Sequence, residues 1–377
     1  MKKTSINWYE LKDKIYIYLK KEVIKQLIED GIKKSGSLSK LCTKLNTTYF
    51  YTNLRNSCGI SIKKAKELLD YIEKDYNLLN SGIIEIRRGN KFSIKNPKFP
   101  ISLMNESMGS ILGHSVSDGC LYYDKSRKDL IRTKYCSPDN ELIDEFKANI
   151  CNLFGEVTFS EEVVRNSRVI RVGNSIIGET LKIAGAPVGK KYELNSNIPG
   201  VIKYGTRLIK RNYLSAIFDD EGSVGEKPFP YVILSRNVHM VLNNKEKRIL
   251  NKFVVPLMKS NFFRTGHECK RLSIRKVKSI LSDIKEDKLL NKILNYKPRI
   301  LIDESNLLKS NFGINNSTYV MSLQLTTNLR YSVQSSLVIR NKEEVINFYK
   351  NIGFKLKRKQ DKLRNYLINS GRLKHGS

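Results

Sequence analysis

The sequence is poor in the residues that build metal clusters, disulfide frameworks or membrane spans. Six cysteines (Cys42, Cys58, Cys120, Cys136, Cys151 and Cys269) form no Cys-x-x-Cys pair, and there are only four histidines. Clustered structural zinc ligation is therefore excluded, and the close pair in "HEC" (267–269) reads as part of a hairpin. Buried, reduced thiols are expected, as in a reducing compartment. No apolar run approaches the ~18–20 residues that cross a bilayer. The start "MKKTSINWYELKDKIYIYLKK" has neither the apolar stretch nor the cleavage site of an export signal. A cytoplasmic location and no membrane partner are expected. Acid is scarce as well: 37 Asp and Glu face 68 Lys and Arg, a net charge of +31 over 377 residues. That imbalance excludes a neutral housekeeping surface and points to a polyanionic partner, of which nucleic acid is the usual one. Hydrophobic content of 40% still suffices for two or three cores.

Residues 1–97 read differently from the rest. "WYELKDKIYIYLKKEVIKQLIED" has apolar residues at three- and four-residue steps and predicts a helix. A short helix with Leu38, Leu41 and Leu45 follows, then a break at Asn46, a segment "YFYTNLR" (49–55), and a third helix capped by Ser61. Helix, tight turn and helix, with Tyr51, Asn53 and Arg55 on the second member, predicts a small helical, helix-turn-helix-like domain. A helical brace without a nucleic-acid contact fits the same pattern. "GIIEIRRGNKFSIKNP" predicts a basic hairpin about Gly89-Asn90, and Pro97 and Pro100 mark a boundary.

From about residue 104 the chain repeats itself. "SMGSILGHSVSDG" and "RNYLSAIFDDEG" are apolar helical patterns ending in acid-glycine, Asp118-Gly119 and, 103 residues later, Glu221-Gly222. Each is followed by strand, polar turn and strand, then a helix ("SPDNELIDEFKANICNLFG"; "NNKEKRILNKFVVPLMKS"), a second hairpin and a short helix. Ser137 is the expected cap of the first of these helices, with Pro138 in its first turn. The expected fold is α+β, two αββαββα repeats at 98–200 and 201–377 behind the 1–97 domain. A second parse of the later repeat is open. "YSVQSSLVIRNKEEVINFYKNIGF" would then supply its last strand and helix, with 262–296 inserted.

A helix that delivers a carboxylate at its carbonyl end, followed by a glycine that turns the chain away, is a carboxylate presented against the helix dipole. Two such ends side by side repel each other, and a hard divalent cation relieves the repulsion. The small residues Gly113, Ser117 and Ala216 would let two such helices approach closely. "ILGHSVSDG" (111–119) and "LSAIFDDEG" (214–222) resemble the paired signature helices of the LAGLIDADG homing endonucleases, in an archaeal-like single-chain form. The resemblance extends over roughly 104–365. It implies a site-specific double-stranded DNA endonuclease with a saddle of two sheets, acting as a monomer with an internal pseudo-twofold. It implies catalytic acids at Asp118 and Glu221, with Mg²⁺ or Mn²⁺ held by them and approached by Ser117 and Asp220. Departures from the motif are His114 and Ser115 in the first helix and Asp220 in the second. A DNA-binding regulator that no longer cuts, and a maturase acting on intron RNA, are the alternative readings on the same fold.

Lys134 lies 16 residues after Asp118, and Arg236 lies 15 after Glu221, each toward the end of a second strand. Either could stabilise charge at a scissile phosphate or make a plain phosphate contact. Alternation on the hairpins nominates Tyr123, Lys125, Arg127, Arg132, Arg165 and Arg168 as groove contacts in the first repeat. Lys227, Tyr231, Arg264, Lys270 and Arg271 are their counterparts in the second. "GAPVGKK" and "GFKLKRK" add Lys190, Lys191, Lys357 and Lys359 as backbone contacts.

Overall fold

The structure is a computed structural model describing residues 3–48, 50, 59–88, 92–127, 129–226, 229–262, 268–326 and 328–373; for 260–262 and 268 only the backbone is considered. Arg55, Lys227 and Arg264, and the Gly89-Asn90 turn, lie outside the described residues. The chain divides into two units, Met1–Val188 and Gly189–Ser377. Both mix helices and antiparallel strands. Among the described residues, no helix is long and apolar enough to cross a membrane.

The first part of unit 1 is not purely helical. The helix expected from Trp8 onward begins only at Lys21 and runs to Ser35, and Tyr16–Leu19 is a strand. Its "YIYL" alternates, with Ile17 and Leu19 buried and Tyr16 exposed, a half-buried pleat made of strand-forming side chains. The helix keeps its expected apolar face in Ile24, Leu27, Ile28 and Gly31. The cap at Ser61 holds, its hydroxyl accepting the Lys64 N–H, and Ser37 caps the preceding helix in the same way, accepting from Lys40. Ile83–Arg87 and Ser93–Lys95 pair antiparallel, as the hairpin reading expects. A five-stranded sheet orders Ile60–Ser61, Tyr16–Leu19, Ile83–Arg87, Ser93–Lys95 and Glu156–Val157, so its last strand comes from beyond residue 97. Arg88 adds a second tie, donating to Asp129 at 2.5 Å and Glu179 at 2.6 Å.

The other sheet of unit 1 has four strands, ordered Phe159–Val164, Ser167–Val172, Ile131–Ser137 and Cys120–Tyr123. Helices Glu106–Val116, Asn140–Phe154 and Ser175–Ala184 pack with it. Ser137 ends a strand instead of capping the helix; Asp139 is the cap residue, and the Ser137 hydroxyl accepts its N–H at 3.1 Å.

Unit 2 has a six-stranded sheet, ordered Gly222–Gly225, Tyr231–His239, Tyr331–Ile339, Ser317–Thr326, Glu268–Ser273 and Lys259–Phe262. Its first four strands follow the same neighbour order and chain sequence as the four of unit 1. "YSVQSSLVI" is thus the strand beside Tyr231–His239, and the paired strands Lys259–Phe262 and Glu268–Ser273 are added outside. Arg299–Phe312, not "NNKEKRILNKFVVPLMKS", is the long helix between the two central hairpins. The added segment, 240–298, has a core of its own: Leu250, Val254, Val277, Leu281, Leu289 and Ile293 pack on Leu323 and Val333 of the sheet. Periodicity alone could not rank two strand pairs of similar composition, because partner choice is a long-range property.

Candidate functional site: the two motif ends and the open sheet faces

In unit 1 the helix Glu106–Val116 ends at Ser117, which is 6% exposed, and the next residue, Asp118, is exposed. The Gly119 N–H donates to the His114 carbonyl at 2.8 Å. A Cβ on Gly119 would lie 2.7 Å from that oxygen. In unit 2 the helix Arg207–Glu221 ends directly in Glu221, and the Gly222 N–H caps the Phe218 carbonyl. A Cβ there would lie 2.5 Å from the Phe218 oxygen. Neither glycine has a positive φ. The glycines are therefore required by close approach to a helix carbonyl, not by a left-handed backbone.

The histidine of the first motif faces the unit's own interior, as does Ser110 just before it. Ser110 donates to Glu145 at 2.6 Å. His114 is fully buried, its ring 4.7 Å from that of Tyr135 and edge-on to Phe146, with Nε2 3.9 Å from Glu145 Oε2. Lys134 pairs in register with Cys120 and with Arg171. The Cys136 thiol is pushed up by burial, drawn down by Ser167 and Lys134, and pushed up again by Asp118.

The second motif end is built on buried charge. Arg236, 6% exposed, donates to Glu221 Oε1 at 2.6 Å and, through two nitrogens, to Glu304 at 2.6 and 3.3 Å. Glu304 is wholly buried and also accepts from the Tyr213 hydroxyl at 3.2 Å. Burial pulls the Arg236 guanidinium down, but Glu221 and Glu304 outweigh it and push it far up, so it stays charged. Burial likewise drives the Tyr213 hydroxyl well up. Asp219 serves the fold: its two oxygens accept the N–H groups of Lys355 and Leu356 at 3.0 and 3.1 Å.

Glu145 and Glu304 are a matched pair that sequence reasoning missed. Each is the sixth residue of the helix that follows the first hairpin or the inserted segment, and each accepts from the residue eight before the motif acid, Ser110 or Tyr213. A signal was present: "LIDE" occurs at 142–145 and again at 301–304. The same repeat matches Arg299–Phe312 with Asn140–Phe154 in the sequence itself.

Lys134 and Arg236 are not equivalents. Cys120 faces Lys134, and Ser223 faces Ile233, so Ile233 holds the place of Lys134. The spacings of 16 and 15 differ by one, and one residue turns a strand side chain to the other face. Lys134 lies on the face away from the helices and Arg236 on the face packed against them, where unit 1 has Ser137.

The same rule sorts the groove candidates. In unit 1, Tyr123 and Arg168 are on the helix side: Lys182 approaches the Tyr123 ring, and Arg168 donates to Glu161 and Asn140. The open face carries Tyr122, Arg132, Lys134 and Arg171 instead. Arg132 donates to Asp124 at 3.1 Å, and Ser126 and Arg132 hold the Asp124 carboxyl far below its ordinary range. Lys125 and Arg127 are exposed in the turn, and Arg165 is exposed at a hairpin tip with φ 56°. In unit 2, Arg271 is on the open face, donating to Ser322 at 2.9 Å, which donates to Gln334 at 3.1 Å. Lys270, its neighbour, points to the other side. Tyr231 is on the open face under Arg340, a cation that the alternation argument did not nominate. Lys190 is exposed near Glu193, Lys191 half-buried and Lys357 exposed at the first turn of Lys357–Asn369. Lys359 is not a surface contact: its ammonium caps the second motif helix, donating to the carbonyls of Phe218 at 3.1 Å and Gly222 at 2.6 Å, and to that of Asp219.

No group of three or more His, Cys, Asp or Glu that could hold a metal ion occurs among the described residues. The donor types at the two motif ends, carboxylate with carbonyl and hydroxyl oxygen, suit a hard divalent cation that keeps water and phosphate as further ligands. Asp219 is spoken for by backbone N–H groups and does not belong to that set.

Some solved structures are similar to this chain at a low level. Mesophilic variants of the homing endonuclease I-DmoI share 11% identity over 69% of this chain and 97% of theirs, with a TM-score of 0.34. I-DmoI in complex with DNA and Ca shares 12% over 66% of this chain and 88% of its own, TM-score 0.33. The homing endonuclease I-WcaI bound to its DNA recognition sequence shares 11% over 68% and 87%, TM-score 0.32. Likeness at these values supports nothing further by itself. No protein-family model and no curated protein matches the chain.

Proposed function

We propose that the chain is a site-specific double-stranded DNA endonuclease of the LAGLIDADG homing type, one acid coming from each unit. The observation that carries this reading is the duplicated construction of the motif ends. Twice, a helix leads into an acid and a glycine that admits no Cβ, enters the outer strand of a sheet whose first four strands share one order, and is backed by a matched glutamate. An acid-capped core helix explains one such end, but not two built alike around the same tetrapeptide.

In this proposal the two αββαββα repeats are pseudo-symmetric and their open faces form the DNA saddle of a monomer. Asp118 and Glu221 hold Mg²⁺ or Mn²⁺, with Ser117 and Asp220 beside them. The cation, when bound, lowers the pKa of water and stabilises a leaving oxygen in phosphodiester hydrolysis. The chain's own part is orientation. Arg236 fixes one oxygen of Glu221, and Glu304 and Tyr213 fix Arg236, so that carboxylate cannot turn away when the site is empty of DNA. Arg236 is thereby a positioning residue, whereas Lys134, on the open face, is the proposed contact to a phosphate oxygen. Tyr122, Arg132, Arg171, Tyr231, Arg271 and Arg340 are the proposed groove contacts. The 1–97 segment is proposed as a brace, on the strength of the shared sheet and the Arg88 ion pairs. The test is incubation with a divalent cation and the DNA that flanks the coding sequence, joined without it. Discrete double-strand cutting supports the reading, and bound but intact DNA at every cation tried rejects it.

A further inference from the structure

The inserted segment 240–298 holds fifteen Lys and Arg against five Asp and Glu. It therefore carries about a third of the chain's net charge of +31 in under a sixth of its length. It is also the only reason that the unit 2 sheet has six strands where the corresponding sheet of unit 1 has four. A segment that served only to cover an edge would need neither feature.

Its two strands continue the open face. Lys259 faces Arg271 in register, Arg271 faces Gln324, and Gln324 faces Ser332, all on the side away from the segment's own core. That core lies on the other side, through Leu272, Leu323 and Val333. Arg271 is then joined by hydrogen bonds to Ser322 and on to Gln334. The added surface is thus a continuous row of hydrogen-bonding groups ending in two cations, the composition that meets base edges and phosphates.

We propose that this insertion is a DNA-contacting extension that makes the unit 2 half of the binding site longer than the unit 1 half. It rests on the endonuclease reading for its partner, duplex DNA, and adds the asymmetry. Two strands at about 4.8 Å spacing widen the face by roughly 10 Å, which is about three base pairs of duplex.

The experiment compares footprints and the salt dependence of binding for three variants of the full chain on its target duplex. Lys259→Gln with Arg271→Gln removes the open-face cations. Lys259→Gln alone, at an exposed residue, guards against misfolding through the Arg271 hydrogen bond. Lys276→Gln with Lys278→Gln makes the same charge change on the helix Ile274–Asp283, on the other side of the sheet. The expected results are a drop of about two in the salt slope for the open-face pair and about one for Lys259→Gln. Protection should shorten by roughly three base pairs on one flank only, while the helix pair keeps the wild-type footprint. Equal losses from both pairs, or an unchanged slope and footprint in the open-face pair, overturn the extension while leaving the endonuclease reading intact. A wild-type chain that binds no duplex overturns both.

Discussion

The two motif ends solve one problem in unequal ways. In unit 1 the acid is exposed, and the buried polar group behind it is a histidine against Tyr135, Phe146 and Glu145. In unit 2 the acid is gripped by a guanidinium that a second, wholly buried carboxylate holds in place. Buried ion pairs add little net stability, because desolvation cancels most of the attraction. What the arrangement at Glu221 supplies is therefore orientation of that carboxylate more than stability. The difference comes down to one strand position, Arg236 where unit 1 has Ser137.

The largest effect should come from breaking that grip. Arg236→Ala leaves Glu304 buried without its cation and should cost about 3–5 kcal/mol. Urea unfolding of unit 2 measures it, and Ser137→Ala should cost far less. If Arg236→Ala unfolds no earlier than Ser137→Ala, the buried network is not what separates the two ends.

The glycines should behave alike where the charges do not. Gly119→Ala and Gly222→Ala each push a methyl group to within 2.7 and 2.5 Å of a backbone carbonyl, which cannot yield as a side chain can. Each should lose roughly 1–3 kcal/mol, read as a lowered melting temperature. A tolerated alanine at one site would show that the two helix ends are not built alike.

The smallest effect sharpens the matched glutamates. Ser110→Ala and Tyr213→Phe each remove one hydrogen bond to a glutamate and should cost about 1 kcal/mol apiece. Tyr213→Phe should also slow cutting by loosening Arg236, whereas Ser110→Ala should not. Equal effects on rate would say that Glu304 and Glu145 do the same work.

What was legible in the sequence was local. Acid-glycine endings, alternating hairpins and the Ser61 cap are set by neighbours in the chain. Facing was not legible, because a one-residue difference in spacing turns a strand side chain over; hence Tyr123 was nominated where Tyr122 is on the open face, and Arg168 where Arg171 is. Lys359 reads as a surface cation in "GFKLKRK", and only the folded chain brings it to the Phe218 carbonyl. The strand at Tyr16–Leu19 was hidden by apolar residues that satisfy helical and strand spacing together. Glu304 was legible in principle through the repeated "LIDE", but an acid inside an apolar helix face looks like a surface residue until its arginine is found.

The central claim is that one acid from each unit serves a single cutting site. Asp118→Asn and Glu221→Gln, assayed in the same samples for DNA affinity and for cleavage of each strand with Mg²⁺, test it most directly. The account predicts that either substitution stops double-strand cleavage while affinity stays within a few-fold of wild type or rises, as a negative charge near phosphate is removed. Full cutting by either variant would contradict it.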